Sequence, residues 1–265
     1  AHDPDGSNPR YRKLRKLYKP FVGHYVAVSN DLAQYLEHAI GISADRRSLI
    51  ANGVDTEAFA PPESVPQAVA GCPFVPRQHW LAGPVGRLQT VKNQPFLARA
   101  FVKLLKDHPQ ASSRMRLIIV GDGPLRAEIE EILRQGNALQ YAWLPGARND
   151  IADILRMLDC FVLPSQAEGT SCTLQEAMAC GLPAIATAVG GTPALVEQGI
   201  TGNLTPSDDD DALAQALWSA YASPQAFSTL GNTARQRALT GFAMKQLIEH
   251  YNELFQHCAP SAKSH

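Results

Sequence analysis

An α/β fold, a Rossmann-like doubly wound parallel sheet, is predicted here by three observations. First, five short apolar runs read as buried strands: WLAGPVG (80–86), RLIIVG (116–121), LQYAWL (139–144), CFVLPS (160–165) and PAIATA (183–188). Second, longer stretches of helical spacing separate them, and that alternation is the mark of βαβ units with helices on both faces. Third, the polar loops GRLQTVKN, GDGP, LPGAR, SQAEGTS and TAVGGTP follow these runs in turn. In an open parallel sheet they share one edge, beyond the carboxyl ends of the strands, where such folds bind ligands.

Taken in chain order, YVAVS (25–29) reads as a strand, Asp31 to His38 as a helix, and LIANGVD (49–55) as strand then turn. TEAFAPPESVPQAVAGCPFVP is rich in proline and small residues and reads as a linker. Phe96 to Lys106 is expected to be helical, with Phe96, Ala100, Val102, Leu104 and Leu105 as its apolar positions. In GPLRAEIEEILRQG (123–136), Pro124 marks a helix start and Gly136 its end. Residues 209–257 hold three helical stretches with no strand between them.

Composition narrows the function. A chain of 265 residues can bury a full core, and 45% hydrophobic with 18% charged residues is ordinary for a globular protein. A formal charge of −1 argues against nucleic acid as a partner, because phosphate backbones call for a basic surface. No apolar run is long enough to span a bilayer. The opening AHDPDGSNP has neither an initiator Met nor a signal core, so a fragment or trimmed chain is expected. Five cysteines, odd in number and without a CxxC pair, suit a reduced cytoplasmic setting better than a disulfide scaffold or zinc site. Cys172 is reactive if it opens a helix, or else a small space-filling residue.

The expected carboxyl edge collects charge. Arg87 and Lys92 are two cations on one loop, suited to a diphosphate: Arg forks while Lys acts as a point charge. A helix N-terminus after Gly169 offers free N–H groups to phosphate oxygens. Glu168 and Glu176 accept hydrogen bonds and suit vicinal hydroxyl pairs on sugars. Together these describe a nucleotide sugar. Each piece alone has a plainer meaning. Thr173 to Glu176 has the spacing of a capping box. Glu168, Arg87 and Lys92 could be solvated surface charges, and GDGP a common turn. Their convergence on one edge is what favours a site. Asp208 to Asp211 opens a helix, where acidic residues favour the dipole, so no metal site is expected there.

These motifs carry a resemblance. VAVSNDL, IANGVDTEAF, GRLQTVKN, IIVGDGPLR and AEGTSCTLQEAMACGLPAIATAVGGTPALVEQGITGNL, in this order, resemble the C-terminal, donor-binding half of family 4 (group 1) glycosyltransferases. Those are retaining enzymes of GT-B fold, two Rossmann-like domains facing across a cleft. The resemblance covers nearly the whole chain. DPDGSNPRYRKLRKLYKPF and GRLQTVKNQ look most like sugar transferases of bacterial exosortase and exopolysaccharide systems.

The resemblance implies a domain plan. Residues 1–62 would be the C-terminal remnant of the acceptor-side Rossmann-like domain and 63–76 a linker. Residues 77–240 would be the donor domain, and 241–265 a helix crossing back. It also implies roles. Arg87 and Lys92 would bind the donor diphosphate and stabilise it as it leaves, and Glu168 would contact the donor sugar; these three form the catalytic set. Glu176 would hold the ribose hydroxyls. Gly86, Gly123 and Pro124 would line the donor site, and backbone around Gly169, Thr170, Ser171 and Cys172 would face phosphates and sugar. Main chain near Ala142 would meet the nucleobase. Transfer would be metal-independent, from a UDP-sugar first, or a GDP- or ADP-sugar, to a glycan or lipid-linked acceptor, with no cofactor. The family pattern has an apolar residue at Thr170 and proline at Thr173, and the histidine near its donor sugar has no counterpart among the eight here.

Residues 10–21 add a basic amphipathic helix, with Leu14, Leu17, Tyr18 and Phe21 on one face. A peripheral contact with an anionic membrane, at the inner face, and packing against a first domain are both open to it. Two other classes stand beside the transferase: a nucleotide-sugar-binding module without turnover, and a GT-B-fold epimerase or phosphorylase.

Overall fold

The computed structural model describes residues 9–258. Residues 3–8 of the opening motif and 259–265 of the expected crossing helix lie outside the described residues. Helix α1 (Pro9–Tyr18) and the turn Lys19–Phe21 leave Leu14, Leu17, Tyr18 and Phe21 exposed. Arg15 holds the helix to the body by donating to the Tyr35 hydroxyl at 2.9 Å. Strand β1 (Tyr25–Ala27) leads to α2 (Asn30–Gln34), capped by Ser29, whose Oγ accepts from Leu32 N–H. The helix widens into a π-turn over Tyr35–Ile40 and stops at Gly41, φ 78°. Strand β2 (Arg47–Leu49) pairs in parallel with β1. The strand expected to start at Leu49 therefore ends there. Val54 instead bridges Ala243.

The second sheet holds β3 (Trp80–Gly83), β4 (Met115–Val120), β5 (Ala142–Gly146), β6 (Cys160–Leu163), β7 (Ala184–Thr187) and β8 (Gly202–Thr205). All pairings are parallel and the order is β5-β4-β3-β6-β7-β8. Five strands are legible in the sequence; β8, GNLT, has no apolar run to announce it. The run LQYAWL starts three residues late as a strand, because Leu139–Tyr141 is a 3-10 turn. Pro145 is tolerated in β5 because this is an edge strand, where the missing N–H faces no partner.

Helices α3 (Gln94–Asp107), α4 (Arg126–Gln135), α5 (Ile151–Met157), α6 (Cys172–Ala179) and α7 (Thr192–Leu195) follow successive strands. Then come α8 (Asp210–Ala222), α9 (Pro224–Gly241) and α10 (Met244–Cys258), the three helical stretches expected at the tail. The first helical residue of α4 is Arg126, so Pro124 lies in the preceding turn rather than at the helix start.

The sheet is buried on both faces, which is why its strands read as unbroken apolar runs. Alternate residues of β6 show it: Cys160 and Val162 join one core with Phe96, Phe101, Ile129 and Leu217. Phe161 and Leu163 join the other with Ile154, Leu174, Met178 and Ala234. Helices α3, α4 and α8 thus cover one face, and α5, α6 and α9 the other. Each large side chain so buried contributes roughly 1.5–3 kcal/mol. Residues 63–76 form no helix or strand. Helix α10 returns beside the first sheet: Met244 N–H donates to Val54 O at 2.9 Å, and Gly53 lies so close that a Cβ there would stand 3.0 Å from Leu247 Cβ.

Candidate functional site

Strand β3 has β4 on one side and β6 on the other, so the chain reverses its direction of winding between β3 and β6. The crevice of such a sheet opens at that switch, beyond the carboxyl ends. The loops after β3 and β6 carry Arg87, Lys92 and Glu168, and they meet there.

The β3 loop is fixed by its neighbour. Gly86 N–H donates to Val120 O and Leu88 N–H to Asp122 O, both at 2.9 Å. This close approach requires glycine at 121 and 123: a Cβ at 121 would lie 1.9 Å from Gly86 O, and one at 123 would lie 2.4 Å from Leu88 O. Both sit at positive φ, 134° and 155°, so the backbone itself selects glycine. Arg87 projects exposed from the loop and its guanidinium has no partner among the described residues. Its carbonyl accepts from the buried Gln94 amide at 3.0 Å, which holds the loop from below. Pro124 and Gly123 border the same crevice, and Asp122 accepts from Gly123 N–H at 2.8 Å.

Lys92 reaches across the crevice. Its Nζ donates to Glu168 Oε1 at 2.6 Å, and the buried Ser165 Oγ donates to the same oxygen at 2.6 Å. The Glu168 side chain is only 7% exposed, yet both donors use Oε1 and leave Oε2 without a partner among the described residues. A buried carboxylate is affordable only when paired, and these two bonds pair it. The backbone here is clamped from the other side. Gly191 N–H donates to Glu168 O at 3.0 Å, and Cβ atoms at 190 and 191 would lie 1.9 and 1.8 Å from Glu168 O and Gly169 O.

After Gly169 the chain presents donors. The amides of Gly169, Thr170 and Ser171 donate to no group among the described residues. Ser171 then caps α6, its Oγ accepting from Leu174 N–H, and Cys172 is the first helical residue. Free amides and a helix N-terminus together favour an anion. Thr170 turns its hydroxyl away, donating to Val28 O at 2.7 Å and tying the loop to the first sheet. Cys172 is exposed, with Asn52 Nδ2 at 3.4 Å from its sulfur.

The cap at Ser171 decides the meaning of Glu176. A capping box would need Thr173 as the cap, but Thr173 is already inside the helix. Glu176 is half-buried and its carboxylate has no hydrogen-bond or ion-pair partner among the described residues. Burial alone pushes its pKa above the ordinary value of 4.5.

Ala142 is a correction. It opens β5 opposite Leu117, whereas the carboxyl edge is at Gly146, whose carbonyl accepts from Gly121 N–H at 2.9 Å. Four residues of strand, roughly 13 Å, separate Ala142 from the crevice. That assignment came by resemblance, whereas the 3-10 turn at Leu139–Tyr141 makes Ala142 the start of the strand and not its end. The acidic run is engaged side chain by side chain. Asp208 accepts from Asn93 Nδ2 at 2.7 Å, Asp209 caps α8, and Asp210 and Asp211 pair with Arg99 and Lys103. A cavity of about 680 Å³ lies at the amino edge, among Pro61, Asp159, Leu182 and Arg235. Two of its three arginines serve the fold: Arg156 donates to Ala58 O and Ala60 O, and Arg235 to Thr56 O and Phe59 O. Ser165, Gln94, Gly190 and Gly191 escaped the sequence reading. Only the paired glycines and the serine ending an apolar run hinted at them.

Residues 81–223 match the family described as Glycosyl transferases group 1. The chain belongs to this family. A putative glycosyltransferase, EpsF of Bacillus subtilis, is 35% identical over 159 residues, covering 60% of this chain and 40% of that protein. An Escherichia coli UDP-Gal:alpha-D-GlcNAc-diphosphoundecaprenol alpha-1,3-galactosyltransferase is 30% identical over 209 residues, 78% of this chain and 53% of that one. The chain thus spans about half the length of these curated relatives. Among solved structures, Anabaena Alr3699/HepE in complex with UDP superposes with a TM-score of 0.82 at 22% identity, over 96% of this chain and 71% of that one. Sucrose-phosphate synthase from Thermosynechococcus elongatus gives 0.80 at 24% identity, over 97% and 63%. The shared architecture is that of the family, with the doubly wound sheet described above.

Proposed function

We propose that this chain binds the donor of a retaining glycosyltransferase, a nucleoside-diphosphate sugar, at the carboxyl edge between β3 and β6. One observation carries the reading. An unpartnered guanidinium, an ammonium and three free amides surround a buried glutamate, while a second, unpartnered glutamate stands one helix turn further on. The diphosphate takes Arg87, Lys92 and the amides of 169–171, where charge on the departing group is neutralised by donors already in place. Glu168 offers Oε2 to a hydroxyl of the sugar. Ribose hydroxyls donate to Glu176 and satisfy a carboxylate that burial otherwise disfavours. The base lies beyond Gly123, toward Gly146. Uridine is the first candidate, since HepE was solved with UDP and the name of the E. coli relative includes UDP-Gal. That relative's name also includes a lipid-linked diphosphate acceptor, which supports the same class of acceptor here. A module that binds the donor without turnover shares every one of these contacts.

Calorimetric titration with UDP, GDP and ADP tests the site. The expected result is binding of one nucleotide, weakened roughly tenfold or more in both Arg87→Ala and Glu176→Ala, in keeping with lost bonds to charged groups. Binding that neither substitution alters would refute this location.

A further inference from the structure

We infer that Ser165 is a positioning residue that fixes the plane of the Glu168 carboxylate, so that its unbonded oxygen is held toward the donor sugar; the inference rests on the donor reading of Glu168 given above. Ser165 is fully buried at the end of β6, so it does not touch a ligand itself. Its Oγ donates to Glu168 Oε1 at 2.6 Å, the oxygen that Lys92 also holds. A carboxylate fixed by Lys92 alone can rock about its last torsion and swing its other oxygen away from a ligand, because such sp³–sp² torsions are broad. A second donor on the same oxygen, from the opposite wall, narrows that motion and holds the unbonded oxygen in one direction.

The serine is itself braced. Thr187, fully buried at the end of β7, donates its hydroxyl to Ser165 O at 2.5 Å and stands 3.3 Å from Leu163 O. Gln166 N–H donates to Val91 O at 2.9 Å, which locks the serine's segment to the loop bearing Lys92. The order of support therefore runs Thr187, Ser165, Glu168, sugar. Lys92 has a second task on the diphosphate, and when phosphate oxygens draw it away the serine remains as the fixed donor. The site would thus keep its sugar-facing oxygen in place both before and after the donor arrives. This makes Ser165 a determinant of sugar recognition and leaves nucleotide recognition to Arg87, the amides and Glu176.

The test compares each sugar nucleotide with its bare nucleotide on the full chain. UDP-glucose, GDP-mannose and ADP-glucose are titrated beside UDP, GDP and ADP, and the tightest pair defines a sugar preference as a ratio of affinities. Five proteins are measured: wild type, Ser165→Ala, Glu168→Gln, the double variant, and Ser165→Cys as a control that fills the site with a slightly larger group but donates poorly. The expected result is a loss of about fivefold or more in sugar preference for Ser165→Ala and Ser165→Cys, with nucleotide affinity held within about twofold. In the Glu168→Gln background, adding Ser165→Ala changes the preference no further, as required of residues that act in series. Equal losses for nucleotide and sugar nucleotide, or additive losses in the double variant, would overturn the inference and leave the donor reading standing. An unchanged preference in Glu168→Gln, or no preference in the wild type, would overturn the donor reading of Glu168 and the inference with it.

Discussion

The two glutamates of AEGTSCTLQE sit eight residues apart and are treated in opposite ways by the fold. Glu168, on the loop after β6, is almost wholly buried and is held by an ammonium and a hydroxyl. Glu176, on the first turns of α6, is half-buried and left alone. The first is an acceptor set in place before any ligand arrives. The second is a charge that the protein tolerates and a ligand would satisfy. Two carboxylates eight residues apart can therefore serve as a rigid contact and as a waiting one, and the difference lies in the partners each meets.

The sharpest way to break this contrast is to remove the clamp on the Glu168 backbone. Gly191→Ala would set a Cβ 1.8 Å from Gly169 O, a contact that must push the two loops apart. We expect a loss of about 3 kcal/mol in urea denaturation together with lost sugar binding, since overpacking against backbone has no cheap relief. Lys92→Ala comes next. It strands most of the charge of Glu168 in a buried place, for about 2–3 kcal/mol, with the serine bond moderating the full cost of a broken buried pair. Thr170→Val removes the bond to Val28 O and returns the position to an apolar residue; thermal unfolding should report a loss near 1 kcal/mol.

The smallest effect has the opposite sign. The pKa of Glu176 is raised in the folded state, so its ionisation costs stability as pH rises through the usual glutamate range toward the raised value. The cost is complete above that value and absent below the unfolded one. Glu176→Gln should therefore stabilise the protein at neutral pH, by less than about 1 kcal/mol because water screens a half-exposed group. The gain should vanish at acid pH while nucleotide affinity falls at neutral pH. A destabilised variant in thermal scans across pH would mean that Glu176 has a partner.

The sheet was largely open to reading because both its faces are buried: Leu117, Ile118, Phe161 and Ile185 leave no room for ambiguity in an apolar run. What escaped lay where backbone, not side-chain pattern, decides. β8 is a strand because Gly202 can lie against Ala184 O, and GNLT carries no hydrophobic signal for that. The turn at Leu139–Tyr141 looks apolar enough to be strand, so β5 begins only at Ala142, the residue that resemblance had assigned to the nucleobase. In the site, the charged residues were legible and their arrangement was not. Arg87, Lys92 and Glu168 could be assigned to one edge, but the 2.6 Å bond between Lys92 and Glu168 depends on loop conformation. Ser165 gave only a weak signal, its place at the end of an apolar run, since a serine after a strand is ordinary loop chemistry. The capping-box spacing of Thr173 to Glu176 was misleading for a similar reason: the true cap, Ser171, stands two residues earlier.

The measurement closest to the central claim is a crystal structure of this chain soaked with UDP. The diphosphate is expected between the Arg87 guanidinium, Lys92 and the amides of Gly169 to Ser171, with ribose hydroxyls on Glu176. Nucleotide bound instead in the amino-edge cavity beside Arg77 and Asp159, or at the carboxyl edge without contact to Arg87 and Glu176, would contradict it.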